Sequence, residues 1–224
     1  MSNDAPGVLF DVDGTLVDTP YLHAVTWAEA LRQNGHVVPM ATVHRAIGMG
    51  SDKLLDHLLG DGRDRDGDDL LRTAHLTLYK QHWGRLDPLP GAADLARECK
   101  RRGLRVVLAS SASEEELATL RSALDADDAI DTATSSADAD ESKPAPDLVE
   151  AALDRSGVDP ERSLFVGDAV WDGQAAAKAG LRFVGLTCGG TSAAELLENH
   201  ALETWRDPAD LLAHFADSAL GRLR

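Results

Sequence analysis

Two carboxylates stand two residues apart at the end of an apolar run, in Phe10-Asp11-Val12-Asp13-Gly14-Thr15-Leu16. Side chains alternate across a strand, so Asp11 and Asp13 fall on one side and Phe10 and Val12 on the other. Paired acids repel, and a purely structural role calls for a compensating cation. Chemistry gives the pair a use. One carboxylate can attack phosphorus and become an aspartyl phosphate. The other can protonate the leaving oxygen and then deprotonate the attacking water. A hard cation such as Mg2+ would hold the charges together through oxygen ligands. Gly14 permits a tight turn away from the site. An Asp-rich turn after a strand has the same sequence pattern, so this segment alone does not decide.

Three later segments add chemistry of matching kind. In Leu108-Ala109-Ser110-Ser111 an apolar run stops at hydroxyl residues. Ser110 can bond a phosphate oxygen beside the N–H groups of a following helix; a helix cap at Ser111 or Ser113 is the plainer reading. In Ser142-Lys143-Pro144-Ala145-Pro146-Asp147 the prolines hold the chain extended and start a helix. That positions Lys143 to neutralise a transferring phosphoryl group, against the commoner fate of an exposed lysine. In Phe165-Val166-Gly167-Asp168-Ala169-Val170-Trp171-Asp172 an apolar run again ends in an acid. Asp168 is placed to bind metal, and Asp172 to orient a metal-bound water or Lys143; a capping Asp is the alternative.

The elements that must position these groups are legible as alternation. Val8 to Phe10, Val106 to Ala109, Leu164 to Val166 and Phe183 to Leu186 read as buried strands, with a weaker run from Ala129 to Thr134. Helical patterns lie between them, at about 92–102, 113–124, 146–156 and 172–179. The spacing predicts an α/β fold, a Rossmann-like parallel-sheet core with helices on both faces. Ligands of such sheets bind at strand ends, where all four segments fall. From Asp18 to about Leu86 only helices are expected. Ala24, Trp27, Ala28 and Leu31 form one stripe, Ser51 can cap a helix carrying Leu54, Leu55, Leu58 and Leu59, and a further helix runs from about Asp69 to Trp83. Residues 18–86 are thus expected as an inserted α-helical cap domain, and 1–17 with 87–224 as the core, the return passing through Asp87-Pro88-Leu89-Pro90-Gly91.

Composition narrows the function classes. The chain has 224 residues and a formal net charge of −16. That surface repels nucleic acid and anionic membranes, so neither is an expected partner. A phosphate site must therefore build its own positive field from a metal, a lysine and backbone N–H groups. No apolar stretch approaches the roughly 20 residues of a membrane span. Met1 to Gly7 lacks the features of a secretory leader. Cys99 and Cys188 are expected as free thiols in a cytoplasmic protein. The acidic stretch Asp61 to Asp69 fails as a calcium loop, because aligning Gly67 puts Gly62 and Thr73 at ligand positions.

Taken in order, DVDGT, LASS, SKPAPD and GDAVWD resemble the four motifs of the haloacid dehalogenase-like hydrolases, with the phosphoglycolate phosphatase-like and β-phosphoglucomutase-like subgroups nearest. The resemblance implies Asp11 as nucleophile and Asp13 as general acid/base. It implies Ser110 and Lys143 on the phosphoryl oxygens, and Mg2+ held by Asp11, the Asp13 carbonyl and Asp168, with Asp172 behind them. It implies a cap that selects a small phosphorylated metabolite, for which His23 and Gly48 are candidate contacts and Trp27 and His75 further ones. Asp13 separates the chain from the dehalogenase and phosphonate-cleaving branches, which lack that second acid. β-Phosphoglucomutases share Asp18-Thr19, His23 and Trp27, yet usually carry a Glu-Asp pair where this chain has Gly167-Asp168, and a cap arginine near Ser51. A phosphatase is therefore expected ahead of a mutase, and ahead of a binding protein that merely keeps the fold.

Overall fold

A computed structural model of the chain describes residues 5–223; residues 1–4 of the leader reading and residue 224 of the core boundary lie outside them. Six strands form one parallel sheet in the order β3-β2-β1-β4-β5-β6. They are β1 (Ala5–Phe10), β2 (Arg105–Ala109), β3 (Thr132–Thr134), β4 (Val158–Gly167), β5 (Arg182–Leu186) and β6 (Ala201–Trp205). Strand β1 shows why the sheet is covered twice. Val8 and Phe10 join one apolar cluster and Leu9 joins another, as period-two side chains must. The first cluster takes Leu95 and Cys99 of α5 (Ala92–Arg101) and Leu117 and Leu120 of α6 (Glu114–Leu124). The second takes Leu148 and Ala152 of α7 (Asp147–Ser156) and Ala175 and Ala176 of α8 (Val170–Lys178). The α/β class is as the alternation predicts.

Details differ for physical reasons. β3 is shorter than the apolar run that suggested it, because Ala129 and Ile130 pack before the ladder begins. β6 was not anticipated: it is an edge strand of mostly half-exposed residues, so its apolar signal is diluted. The short helices α9 (Ala193–Glu198) and α10 (Pro208–Ala213) also escaped the pattern.

Between β1 and α5 lie four helices: α1 (Pro20–Gln33), α2 (Met40–Ala46), α3 (Ser51–Leu59) and α4 (Asp68–Lys80). Trp27, Leu31, Val43, Leu54, Leu55 and Leu71 give them an apolar cluster of their own. Ser51 is not the cap of α3 as expected; Gly50 is the N-cap, without a side-chain hydrogen bond, and Ser51 is the first helical residue. The chain enters and leaves this block side by side. Asp18 N–H donates to the Asp87 carbonyl at 3.0 Å and Leu89 N–H to the Leu16 carbonyl at 2.8 Å. Among the described residues, no helix is long and apolar enough to cross a membrane.

Candidate active site

The sheet order reverses at β1, which has β2 on one side and β4 on the other. Connections leave in opposite directions there, and a crevice opens beyond the strand ends. Asp11 follows β1, Ser110 follows β2 and Asp168 follows β4. Asp11, Asp168 and Asp172 bring carboxylate oxygens within 4.8 Å of one another. Lys143 is wholly buried among them, its Nζ 2.5 Å from Asp11 Oδ1 and 2.9 Å from Asp172 Oδ1. Thr15 Oγ1 donates to Asp168 Oδ1 at 2.9 Å. Asp172, third residue of α8, accepts the Ala169 N–H at 3.0 Å, so it caps the helix while holding the lysine.

Three carboxylates thus share one ammonium in a dry site. Burial, with Asp172 and Asp13 adding to it, outweighs Lys143 and pushes the Asp11 carboxyl up to about 7. Burial and the neighbouring Asp172 and Asp11 drive Asp168 well up too. For Lys143, burial disfavours charge, but Asp11 and Asp172 prevail and raise its pKa. The excess is negative and the donors are all oxygens, which is the donor set of a hard divalent cation. Asp11 and Asp168 fit such an ion by chemistry and charge.

Backbone forms the walls of this slot. Gly14 has φ +85°, and a Cβ there would sit 2.6 Å from Asp168 Oδ2; at Gly189 it would sit 1.5 Å away. Only glycine leaves the carboxylate room at either place.

Asp13 faces a cavity of about 280 Å3 between the strand ends and the helical block. Thr19 Oγ1 donates to its Oδ1 at 2.8 Å, and His23 Nε2 lies 3.3 Å from the same oxygen. Burial alone would raise the Asp13 pKa, but the His23 hydrogen bond and charge overcome it and hold it low. Ser110 Oγ accepts the Ala112 N–H at 3.1 Å and reaches Asp13 Oδ2 only at 3.5 Å. His23 and Gly48 both line the cavity with Asp11 and Asp13. Trp27 lines it too while packing in the block's core, its indole stacked on His75 at 4.1 Å.

The sequence reading gave no role to Thr15, Thr19 or Glu116, and offered Ser111 only as a helix cap alongside Ser113; the cap of α6 is Ser113. Thr15 stands four residues from Asp11, within reach on one turn, which is a usable signal. Ser111 Oγ is buried at the cavity without a partner, as a group awaiting a ligand would be. Asp168 borders a neighbouring cavity of about 260 Å3. There Trp171 Nε1 donates to the Arg45 carbonyl at 3.1 Å, Arg45 pairs with Glu195, and His44 Nε2 lies 3.1 Å from the Gly189 carbonyl. These contacts seat α2 against the core.

The chain is similar to known proteins. Residues 6–180 match the haloacid dehalogenase-like hydrolase family. A phosphoglycolate phosphatase of Pseudomonas putida is 30% identical over 188 residues, 81% of this chain and 69% of that one. The crystal structure of a hydrolase from Pseudomonas syringae superposes with a TM-score of 0.90 at 32% identity, covering 96% of this chain and 99% of the other. A β-phosphoglucomutase from Clostridium difficile shares the fold, with a TM-score of 0.81 at 18% identity over 97% of each chain. The chain belongs to the haloacid dehalogenase-like hydrolases and is a hydrolytic enzyme of the phosphatase type.

Proposed function

We propose that this enzyme is a Mg2+-dependent phosphatase for a small phosphate monoester, of the phosphoglycolate or sugar-phosphate kind, acting through an aspartyl phosphate. One observation carries the reading: Asp11 and Asp13 front a single small cavity, while Asp168, Asp172 and Lys143 stand behind Asp11. An Asp11 oxygen attacks phosphorus as the ester P–O bond breaks. The leaving oxygen takes the proton of Asp13, which the Thr19 hydroxyl and the His23 ring hold in place. Asp13, now a carboxylate, takes a proton from water. The water oxygen attacks phosphorus, phosphate departs and Asp11 is restored. Lys143 balances charge beside Asp11, and Ser110 offers its hydroxyl at the end of β2. Asp11, the Asp13 carbonyl and Asp168 would hold Mg2+, whose charge neutralises the phosphoryl oxygens when bound.

The block at 18–86 is read as the cap and 87–224 with 1–17 as the core. Its Gly48 and His23 wall the cavity where the leaving group would lie, so the cap selects the ester. Gly167 precedes Asp168 where mutases usually pair two acids, which favours the phosphatase over the mutase alternative. A cytoplasmic location fits two cysteines that are both free. Phosphate release from a panel of small esters, with Mg2+ and with EDTA, for the wild type and Asp11→Asn tests the reading. Metal-dependent release that vanishes in the variant is expected. Release that survives EDTA, or survives Asp11→Asn, would count against it.

A further inference from the structure

Glu116 is a buried carboxylate that the reaction above does not use. It sits in the first turn of α6 on the core side, lines the cavity, and is 8% exposed. Burying an acid is costly unless something accepts its charge. The partner here is the ring of His23, whose Nε2 lies 3.5 Å from Glu116 Oε1 and 3.3 Å from Asp13 Oδ1; burial still outweighs the ring and pushes the Glu116 carboxyl up to about 7. One N–H therefore faces two carboxylates.

The ring itself is fixed. His23 Nδ1 lies 3.2 Å from His75 Nε2, and the imidazole stacks on Tyr79 at 4.0 Å. Burial opposes a charge on His23, but Asp13 and Glu116 outweigh it and raise its pKa. Burial and the adjacent His23 keep His75 neutral, well below the usual range. A neutral His75 can accept the Nδ1 proton, which leaves the Nε2–H to be shared.

Two acceptors on one N–H fix the ring between them. We infer that Glu116 is a positioning residue: with Asp13 it brackets the His23 N–H, and so aims the imidazole that holds Asp13 toward the leaving oxygen. This rests on the phosphatase reading given above.

Leaving groups separate this role from a merely structural one. An alkyl oxygen needs the Asp13 proton to depart, whereas a dinitrophenolate does not. The experiment compares kcat/KM for 2-phosphoglycolate and for 2,4-dinitrophenyl phosphate in the wild type, Glu116→Leu and Glu116→Gln. We expect kcat/KM on the alkyl ester to fall roughly tenfold or more in Glu116→Leu, the value of a charge-assisted hydrogen bond. The aryl ester should lose no more than about twofold, since its departure needs no acid. Glu116→Gln, equal in size and still a neutral acceptor, should fall between, and it decides alone if the leucine variant does not fold. Equal losses on both esters, or no loss on the alkyl ester, would overturn the inference while leaving the phosphatase reading intact. A wild type that hydrolyses neither ester overturns both.

Discussion

Replacing Lys143 with methionine should unfold much of the protein's margin of stability while leaving its packing alone. Methionine fills nearly the same volume, so no cavity confuses the result. What disappears is the ammonium, 2.5 Å from Asp11 and 2.9 Å from Asp172 with no exposure to water. Three carboxylates then face one another without a cation among them. Removing one partner of a buried ion pair costs about 3–5 kcal/mol. For a chain of this size each kcal/mol moves the melting temperature about 2–4 °C, so a drop of roughly 6–20 °C is expected. The assay is urea and thermal unfolding by circular dichroism in EDTA at a pH of about 8, above the raised Asp11 value. The pH sign is also fixed. Asp11, near 7, and Asp168 hold protons more tightly folded than unfolded. The stabilising contribution of each is full below the ordinary carboxylate range; that of Asp11 is lost as pH rises through about 7, and that of Asp168 as pH rises through its own raised value. The gap between variant and wild type should therefore narrow as pH falls toward about 5, where these acids neutralise themselves. A variant within about 1 kcal/mol of wild type at the higher pH would refute the argument, since exposed pairs are worth that little.

Metal affinity should follow the same protons. Calorimetric titration with Mg2+ is expected to show tighter binding as pH rises from about 5.5 to about 8, by up to about tenfold per unit for each of Asp11 and Asp168 that must deprotonate to bind; a dissociation constant indifferent to pH would contradict this. Gly189→Ala places a methyl only 1.5 Å from Asp168 Oδ2. Mg2+ affinity should weaken about tenfold or more, as when a ligand's support is disturbed, and unchanged affinity would show that the carboxylate has another place to go.

How much of this was legible depends on where the physical signal resides. Asp11, Ser110 and Asp168 each follow a short apolar run, so the sheet brings together what the pattern already marked. Lys143 was legible as a positioned lysine with Asp172 among its candidate partners, but not as a wholly buried one; its other partner, Asp11, lies 132 residues away, a distance over which periodicity carries no information. Glu116 stands among Glu114 and Glu115 and reads as one more acid in a helix's first turn. Its approach to His23 of α1, far away in the sequence, is what the pattern does not show. Helix α2 was missed because its seven residues bury only Val43 and Ala46, too few to make a stripe. Strand β6 was missed for the opposite reason, being half in water along its length.

The ribbon made by Leu16, Val17, Asp18 and Asp87, Pro88, Leu89 has a consequence for how such a chain arises. It brings the two ends of the helical block into contact, so the core meets that block as if it were a single long surface turn. Closing such a loop grows more costly only with the logarithm of its length. Its apolar cluster is also its own, which makes the segment's assembly a neighbourhood affair within the sequence. A change of length among the later helices of the block can thus be taken up without moving the strand ends that hold Asp11 and Asp168, as long as α1 keeps Thr19 and His23 on Asp13.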